Sequence, residues 1–422
     1  MENFKIIKKD KRSKARLGVL TTPHGTIKTP SYIFVGTYGQ IRNLSPADIK
    51  KTKTQIIIAN TFHLWPKITN YKLQITNKSQ IRNTKSQTFL TEKLGNMPTM
   101  TDSGGFQVLS LAFSNKNKVG KFMTGSFKEG KILKRDKIKI TPDGVYFVFD
   151  NKKMFLGPEL SIKLQQKIGA DIIFTFDQIT SPLDSYAYNK KAVEMTDKWA
   201  KICLTTHRSL ASGSSRSKAS GKREKQMLFG IVQGGLFKDL RIQSAKSIGL
   251  MPFDGFGIGG SYTKKQIAKV LKWIIPYLPE EKPRHLLGVG KVEDIFEAIE
   301  NGIDTFDCVI PTREARHGRL YTTTGHIDIR KGKYLNDEKL IEKNCGCPTC
   351  SSKVTRSKIK ELIKNKNKAL YAKGQRYCLM HNMWFFNSLL ENIRNSIAKD
   401  KFREFKNKFL SDYTNSSYEE FV

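Results

Sequence analysis

The feature that most constrains this chain is a rhythm. Short apolar runs, each ending in glycine or a polar residue, alternate with longer stretches of helical periodicity: TQIIIAN, MPTMTDSGG, ADIIFTFD, MLFGIVQGG, FDGFGIGG, RHLLGVG and DTFDCVIP. Continuous apolar runs are what parallel strands buried on both faces require. The segments between them read as helices. KVEDIFEAIENG, residues 291–302, opens on acidic residues and stops at Gly302, in agreement with the helix dipole and the glycine cap. Seven or eight such units, with no G-x-G-x-x-G after the first strand, predict an α/β chain built on an irregular (β/α)8 barrel rather than a doubly wound sheet.

Composition bounds the partners. The opening MENFKIIKKDKR has no apolar signal core, and runs such as IIIA at 56–59 are far too short to span a bilayer, so a cytoplasmic protein is expected. Lys and Arg total 74 against 38 Asp and Glu, a net charge of +36. Such a balance suits a polyanionic partner, although a Lys-, Asn- and Ile-rich coding bias would also spread charge over every solvated face. Residues 70–87, 114–137 and 211–225 have the composition of basic insertions.

In a reducing compartment six cysteines are not expected to form a disulfide framework. NCGCPTC, residues 344–350, places Cys345, Cys347 and Cys350 within six positions, which points to a metal. A closed tetrahedral zinc site needs a fourth ligand. Two candidates follow in YCLMHNMWFF: Cys378 and His381. The sequence HN followed by apolar and aromatic residues fits the start of a packed helix, with Cys378 in the turn before it. The chain is therefore expected to divide into a barrel over 1–330 and a zinc-binding subdomain with C-terminal helices over 331–422.

The polar residues closing the apolar runs carry the functional reading. They are Asp102 and Ser103, Asp177, Gln233, Gly259 and Gly260, and Asp307. In a barrel all of them would lie on the carboxyl-end rim, where active sites are built. A single Asp after a strand is ordinarily a helix N-cap. Three carboxylates, a carboxamide and a glycine pair at successive strand ends suit acid/base and nucleophilic work at an acetal-like carbon, as in retaining glycosidases.

NTFHL (60–64), MTDSGGFQVLSL (100–111), FGIVQGG (229–235), LGVGKVEDI (287–295), TFDCVIPTREARHG (305–318) and CGCPTC (345–350) resemble, in order and spacing, the tRNA-guanine transglycosylases, over about residues 14–405. The resemblance implies exchange of the wobble guanine of tRNAs with GUN anticodons for a 7-deazaguanine, on the route to queuosine. By the same resemblance Asp307 matches the nucleophile, which would hold the ribose as a covalent intermediate, and Asp102 the general acid/base. Asp177 matches the reader of guanine's N–H edge, Ser103 and Gly259 belong to the base pocket, and Gln233 and the backbone of Gly260 match donors to the carbonyl oxygen. Phe106 would stack on the base, unless it is a core aromatic. Thr312, Arg313 and Arg316 match anticodon contacts, and Gly288 to Asp294, with Lys291, an RNA-contacting loop. His381 matches the fourth ligand of a structural zinc ion, one per chain, and the family's homodimer is implied as well.

The chain also departs from that pattern. Many bacterial relatives have Asp-Glu-Cys where it has Asp177, Gln178 and Ile179, and an acidic residue where it has Lys265. By the resemblance these positions surround the 7-substituent, and loss of an acid that could meet a cationic aminomethyl group leaves the incoming base open between 7-aminomethyl-7-deazaguanine, the first expectation, and salvaged queuine, the second. A non-catalytic tRNA-binding partner subunit would be expected to lack the nucleophile, and both Asp102 and Asp307 are present.

Overall fold

The structure is a computed structural model and describes residues 3–68, 89–108, 138–182, 184–213, 226–260 and 266–419. The expected insertions at 70–87 and 114–137, all of 211–225 beyond residue 213, and the departing residue Lys265 lie outside the described residues.

A closed parallel barrel forms the centre. Its strands are β1 (Ser31–Val35), β2 (Ile57–Ala59), β3 (Thr99–Thr101), β4 (Ile172–Phe174), β5 (Met227–Val232), β6 (Gly255–Ile258), β7 (Arg284–Leu286) and β8 (Thr305–Cys308). They pair in sequence order, and β8 closes on β1. The predicted barrel is thus the observed one. Helices follow the strands, as in Lys238–Gly249 after β5 and Val292–Glu300 after β7, the latter burying Ile295, Phe296 and Ile299. Buried Gln165, on the helix Pro158–Ile168, ties two strands together by accepting from Thr101 Oγ1 at 3.2 Å and from the Phe174 N–H at 3.0 Å.

Two three-stranded antiparallel sheets have no counterpart in the βα rhythm. The first, Phe4–Lys9, Arg16–Thr22 and Gly25–Thr29, contributes Phe4, Leu20 and Ile27 to one apolar cluster with the barrel residues Ile33, Ile58, Met100, Phe174 and Phe229, and so plugs the amino-terminal end. The second, Ile138–Thr141, Gly144–Phe149 and Lys152–Leu156, precedes the helix Pro158–Ile168.

After β8 come a short helix, Ile310–Arg316, and the hairpin Arg319–Thr322 with Gly325–Asp328. A helix from Lys368 to Ala398 then runs back across the barrel: Phe386 meets Tyr32 of β1 with ring centroids 5.1 Å apart, and Asn382 Nδ2 donates to Pro311 O at 3.1 Å. This helix does not start near His381. It starts at Lys368, where the Asn367 side chain accepts from the Ala369 and Leu370 N–H groups, so Cys378 is one turn before His381 in the same helix. Among the described residues no helix is long and apolar enough to cross a membrane.

Candidate active site

Asp102 follows β3 directly, and the surrounding backbone converges on it. Its Oδ1 accepts from the N–H groups of Thr61 and Gly104, both at 3.0 Å, and its Oδ2 from Asn60 Nδ2 at 2.5 Å. Asn60 and Thr61 belong to NTFHL, just past β2, so adjacent strand ends build one cradle. Gly104 has φ +82°, a left-handed conformation that glycine adopts without a Cβ penalty. Burial pushes the Asp102 carboxyl up to about 7, against the hydrogen bonds that favour its ionised form, and the Asp307 carboxylate adds a smaller upward push.

Asp177 stands past β4, buried with Ser103 and Gln233. Gln233 Nε2 donates to Asp177 Oδ2 at 2.6 Å and Ser103 Oγ to Asp177 Oδ1 at 3.5 Å. One side of this carboxyl faces a cleft with Val108, Ile138, Ile140, Val145, Ile179 and Trp199 in its lining, and burial raises it to about 6. Gln233 Oε1 is buried with no partner among the described residues. Gly259 and Gly260 follow β6 and leave the space this carboxamide needs: a Cβ on Gly259 would fall 2.8 Å from Gln233 Nε2, and one on Gly260, at φ +99°, 2.4 Å from Arg241 Nη2. Sequence reasoning missed Arg241. Fully buried, it donates from Nε to Gly235 O at 2.8 Å and from Nη1 to Gly259 O at 2.7 Å, fixing both glycine loops.

Asp307 lies in β8, with its side chain 15% exposed. Its Oδ1 meets His285 Nε2 at 3.2 Å and accepts from the Gly288 N–H at 3.2 Å. His285, on β7 and wholly buried, was not singled out either, because within RHLLGVG it reads as one more strand position. Phe106 stands at the rim with half its surface exposed, which removes the core alternative.

The residues expected at the RNA divide. Arg313 and Arg316 lie in the last turn of the helix after β8. Arg316 is half-buried, and burial holds its guanidinium below the ordinary range, with the charges of Arg42 and Arg313 adding to the effect. Arg42, from the loop after β1, thus joins a cationic cluster that the motifs did not disclose. Lys291 immediately precedes the helix Val292–Glu300, and Asp294 lies in its first turn. Thr312 is turned inward, its hydroxyl donating to Val309 O at 3.3 Å.

Far along the chain, the ligand atoms of Cys345, Cys347, Cys350 and His381 all lie within 4.8 Å of one another. His381 Nδ1 is 3.8, 3.4 and 3.9 Å from the three sulfurs in turn, while its Nε2 is 2.7 Å from Tyr321 O. An Nε2–H donated to that carbonyl leaves the Nδ1 lone pair facing the thiols, the arrangement a metal-binding imidazole requires. Cys378 is buried outside this group. The four residues therefore form a cluster that could bind a metal ion.

The profile of the family described as Queuine tRNA-ribosyltransferase matches residues 10–415. The chain is 35% identical over 420 residues to the queuine tRNA-ribosyltransferase of Halothermothrix orenii, covering 98% of this chain and 99% of that one. It is 36% identical over 423 residues to that of Enterococcus faecalis, covering 97% and 96%, and 35% identical over 423 residues to that of Francisella tularensis subsp. mediasiatica, covering 97% and 98%. On these grounds the chain belongs to the queuine tRNA-ribosyltransferase family, pentosyltransferases that carry out tRNA-guanine transglycosylation.

Proposed function

We infer that this chain exchanges the wobble guanine of GUN-anticodon tRNAs for 7-aminomethyl-7-deazaguanine through a covalent aspartyl-ribosyl intermediate. The observation that carries the reading is the convergence of Asp102, Asp177 and Asp307, from three strand ends, on one barrel mouth. None of the three is paired with Lys or Arg among the described residues, and burial raises two of them.

Asp307 attacks the anomeric carbon as the bond from that carbon to guanine breaks. Asp102, poised at about 7, protonates the departing guanine and takes the proton of the incoming base, for which a value near the working pH is well matched. Asp177 accepts two N–H groups from the pyrimidine edge, an offer that adenine cannot make. Gln233 Nε2 spends one hydrogen on Asp177 and has a second for the base carbonyl oxygen, with the Gly260 N–H beside it. Phe106 closes over the base, and Arg42, Arg313 and Arg316 hold phosphates and flanking nucleotides. No nucleotide cofactor is required, because one glycosidic bond replaces another.

The Cys3His cluster suits Zn2+, since three thiolates and an imidazole complete its tetrahedron. Such a closed site leaves no position for substrate, so zinc would supply rigidity to a subdomain within 331–422 that supports RNA docking. Cytoplasmic location and a homodimer belong to the same reading.

The test is exchange of radiolabelled guanine into unmodified GUN tRNA, with 7-aminomethyl-7-deazaguanine and queuine as competitors. Suppression of the label by the aminomethyl base at the lower concentration is expected. Stronger suppression by queuine would reassign the incoming base, and tRNA binding with no exchange would leave a non-catalytic partner subunit.

A further inference from the structure

The hydrogen bonds around Asp307 are one-sided. Among the described residues both of its partners, His285 Nε2 and the Gly288 N–H, meet the same oxygen, Oδ1. The opposite edge of the His285 ring is also engaged: Nδ1 is 3.0 Å from Thr305 Oγ1, and Thr305 is paired with His285 across the β7–β8 register. The ring has no solvent exposure and lies against Phe174 with centroids 5.4 Å apart, in space kept open by Gly257, where a Cβ would meet Phe174 Cε1 at 2.8 Å. An ionised carboxylate can only accept, so Nε2 carries the hydrogen and donates to Oδ1. In neutral imidazole the other nitrogen is then an acceptor, and the Thr305 hydroxyl donates to it.

We propose that His285 is a positioning residue that, with the Gly288 N–H, reserves Asp307 Oδ1 and leaves Oδ2 as the oxygen that attacks the ribose, Thr305 fixing the tautomer that makes this possible. The proposal rests on the reading of Asp307 as nucleophile and adds to it the identity of the attacking atom. In the first half-reaction an Oδ2 lone pair forms the bond to the anomeric carbon while the electron pair of the old glycosidic bond leaves with guanine. In the second, the incoming base forms its bond to that carbon and the electron pair of the ester C–O bond returns to Oδ2. Negative charge returns to the carboxylate in this second step. Donors already aimed at Oδ1 stabilise it there and cost no reorganisation. His285 therefore acts chiefly on release of the intermediate.

The test compares four variants of the full-length protein with wild type, following tRNA binding, formation of the denaturation-resistant adduct and its chase by added guanine. His285→Asn can reach Thr305 but not Asp307, whereas His285→Gln can place an N–H near the Nε2 position. Chase in His285→Asn should slow about 10- to 100-fold, the scale of losing a hydrogen bond to a charged group, with tRNA affinity unchanged and adduct accumulating. His285→Gln should recover most of the rate. Thr305→Val, close in shape, should show a smaller loss in the same step. Wild-type chase in His285→Asn, or equal losses in the Asn and Gln variants, would overturn the proposal, the latter by reducing the residue to packing. An Asp307→Asn protein that still forms adduct would instead defeat the underlying reading.

Discussion

At the amino-terminal end of the barrel, Asp304 receives Arg16 Nε at 2.8 Å and Nη2 at 2.6 Å, together with the Arg284 N–H at 2.8 Å, and the Arg16–Asp304 pair is almost wholly buried. Asp171 there is met by His24 Nδ1 at 2.6 Å and the Thr99 N–H at 2.7 Å. At the carboxyl end, Asp102, Asp177 and Asp307 are held by amides, a hydroxyl and an imidazole, with no arginine or lysine pairing among the described residues. Residues of one chemical type thus do opposite work. At the bottom the Arg16–Asp304 pair locks the plug sheet to the barrel, whereas Asp171, held by an imidazole and an amide and raised by burial, resembles the top carboxyls in its partners but is closed off beneath the barrel. At the top, incomplete pairing leaves carboxyl groups able to change protonation state or to accept a bond. This is the division of labour that barrels of this kind impose between their two faces.

The contrast can be broken most severely at the top. Asp307→Asn should lower guanine exchange by about four orders of magnitude or more, the scale of losing a nucleophile, while tRNA binding persists. Asp102→Asn should cost about 10²- to 10⁴-fold, as expected for general acid/base catalysis, with no loss of stability. At the bottom, Arg16→Met should do the reverse. Stability measured by denaturant should fall by about 3–5 kcal/mol, because Asp304 is left buried without its cation, and exchange per folded molecule should be unaffected. Equal losses of activity from Arg16→Met and Asp102→Asn would abolish the distinction.

The metal cluster offers a second kind of completed pairing. Metal analysis should find about one zinc per chain, lost or much weakened in His381→Ala and retained in Cys378→Ala. The opposite pattern would exchange the fourth ligand.

The smallest effects sharpen the account of the base pocket. Asp177→Asn should weaken guanine binding by about 1–3 kcal/mol or more, since an amide puts one donor against an edge of donors. The pH profile follows from the two raised carboxyls. Protonation of Asp177 below about 6 turns one of its acceptors into a donor, and ionisation of Asp102 above about 7 removes the proton that guanine needs, so exchange should be bell-shaped with limbs near those values. The stability sign is opposite to that of an ordinary paired carboxylate. Folded protein holds these protons more tightly than unfolded chain, so this contribution falls as pH rises from the unfolded value near 4 towards 7. Asp102→Asn should therefore gain most relative to wild type at alkaline pH.

How much of this was legible depends on whether the signal was local. Seven of the eight barrel strands stood out as apolar runs, and β1, SYIFV, did not, because it follows the plug sheet with no helix before it. The plug sheet and the sheet at 138–156 are antiparallel additions whose short alternating strands carry no βα period. Asp102, Asp177 and Asp307 were visible because a charge closing an apolar run breaks a pattern. His285, Arg241 and Arg42 were not: each acts through a partner brought close by strand register or loop closure, and nothing adjacent in sequence marks it. Spacing left Cys378 and His381 both open and the family resemblance pointed to His381, yet the helix that carries it was misread, since its first turns are polar and its cap is Asn367.

Exchange by this route requires Asp307 to carry the ribose. Wild-type protein incubated with a GUN tRNA, denatured, digested with nuclease and protease and analysed by mass spectrometry should yield a peptide containing Asp307 with a ribosyl nucleotide attached. That signal should disappear after a chase with 7-aminomethyl-7-deazaguanine and should be absent from Asp307→Asn. A nucleotide mapped to another residue, or guanine exchange at a near wild-type rate in Asp307→Asn, would contradict the account.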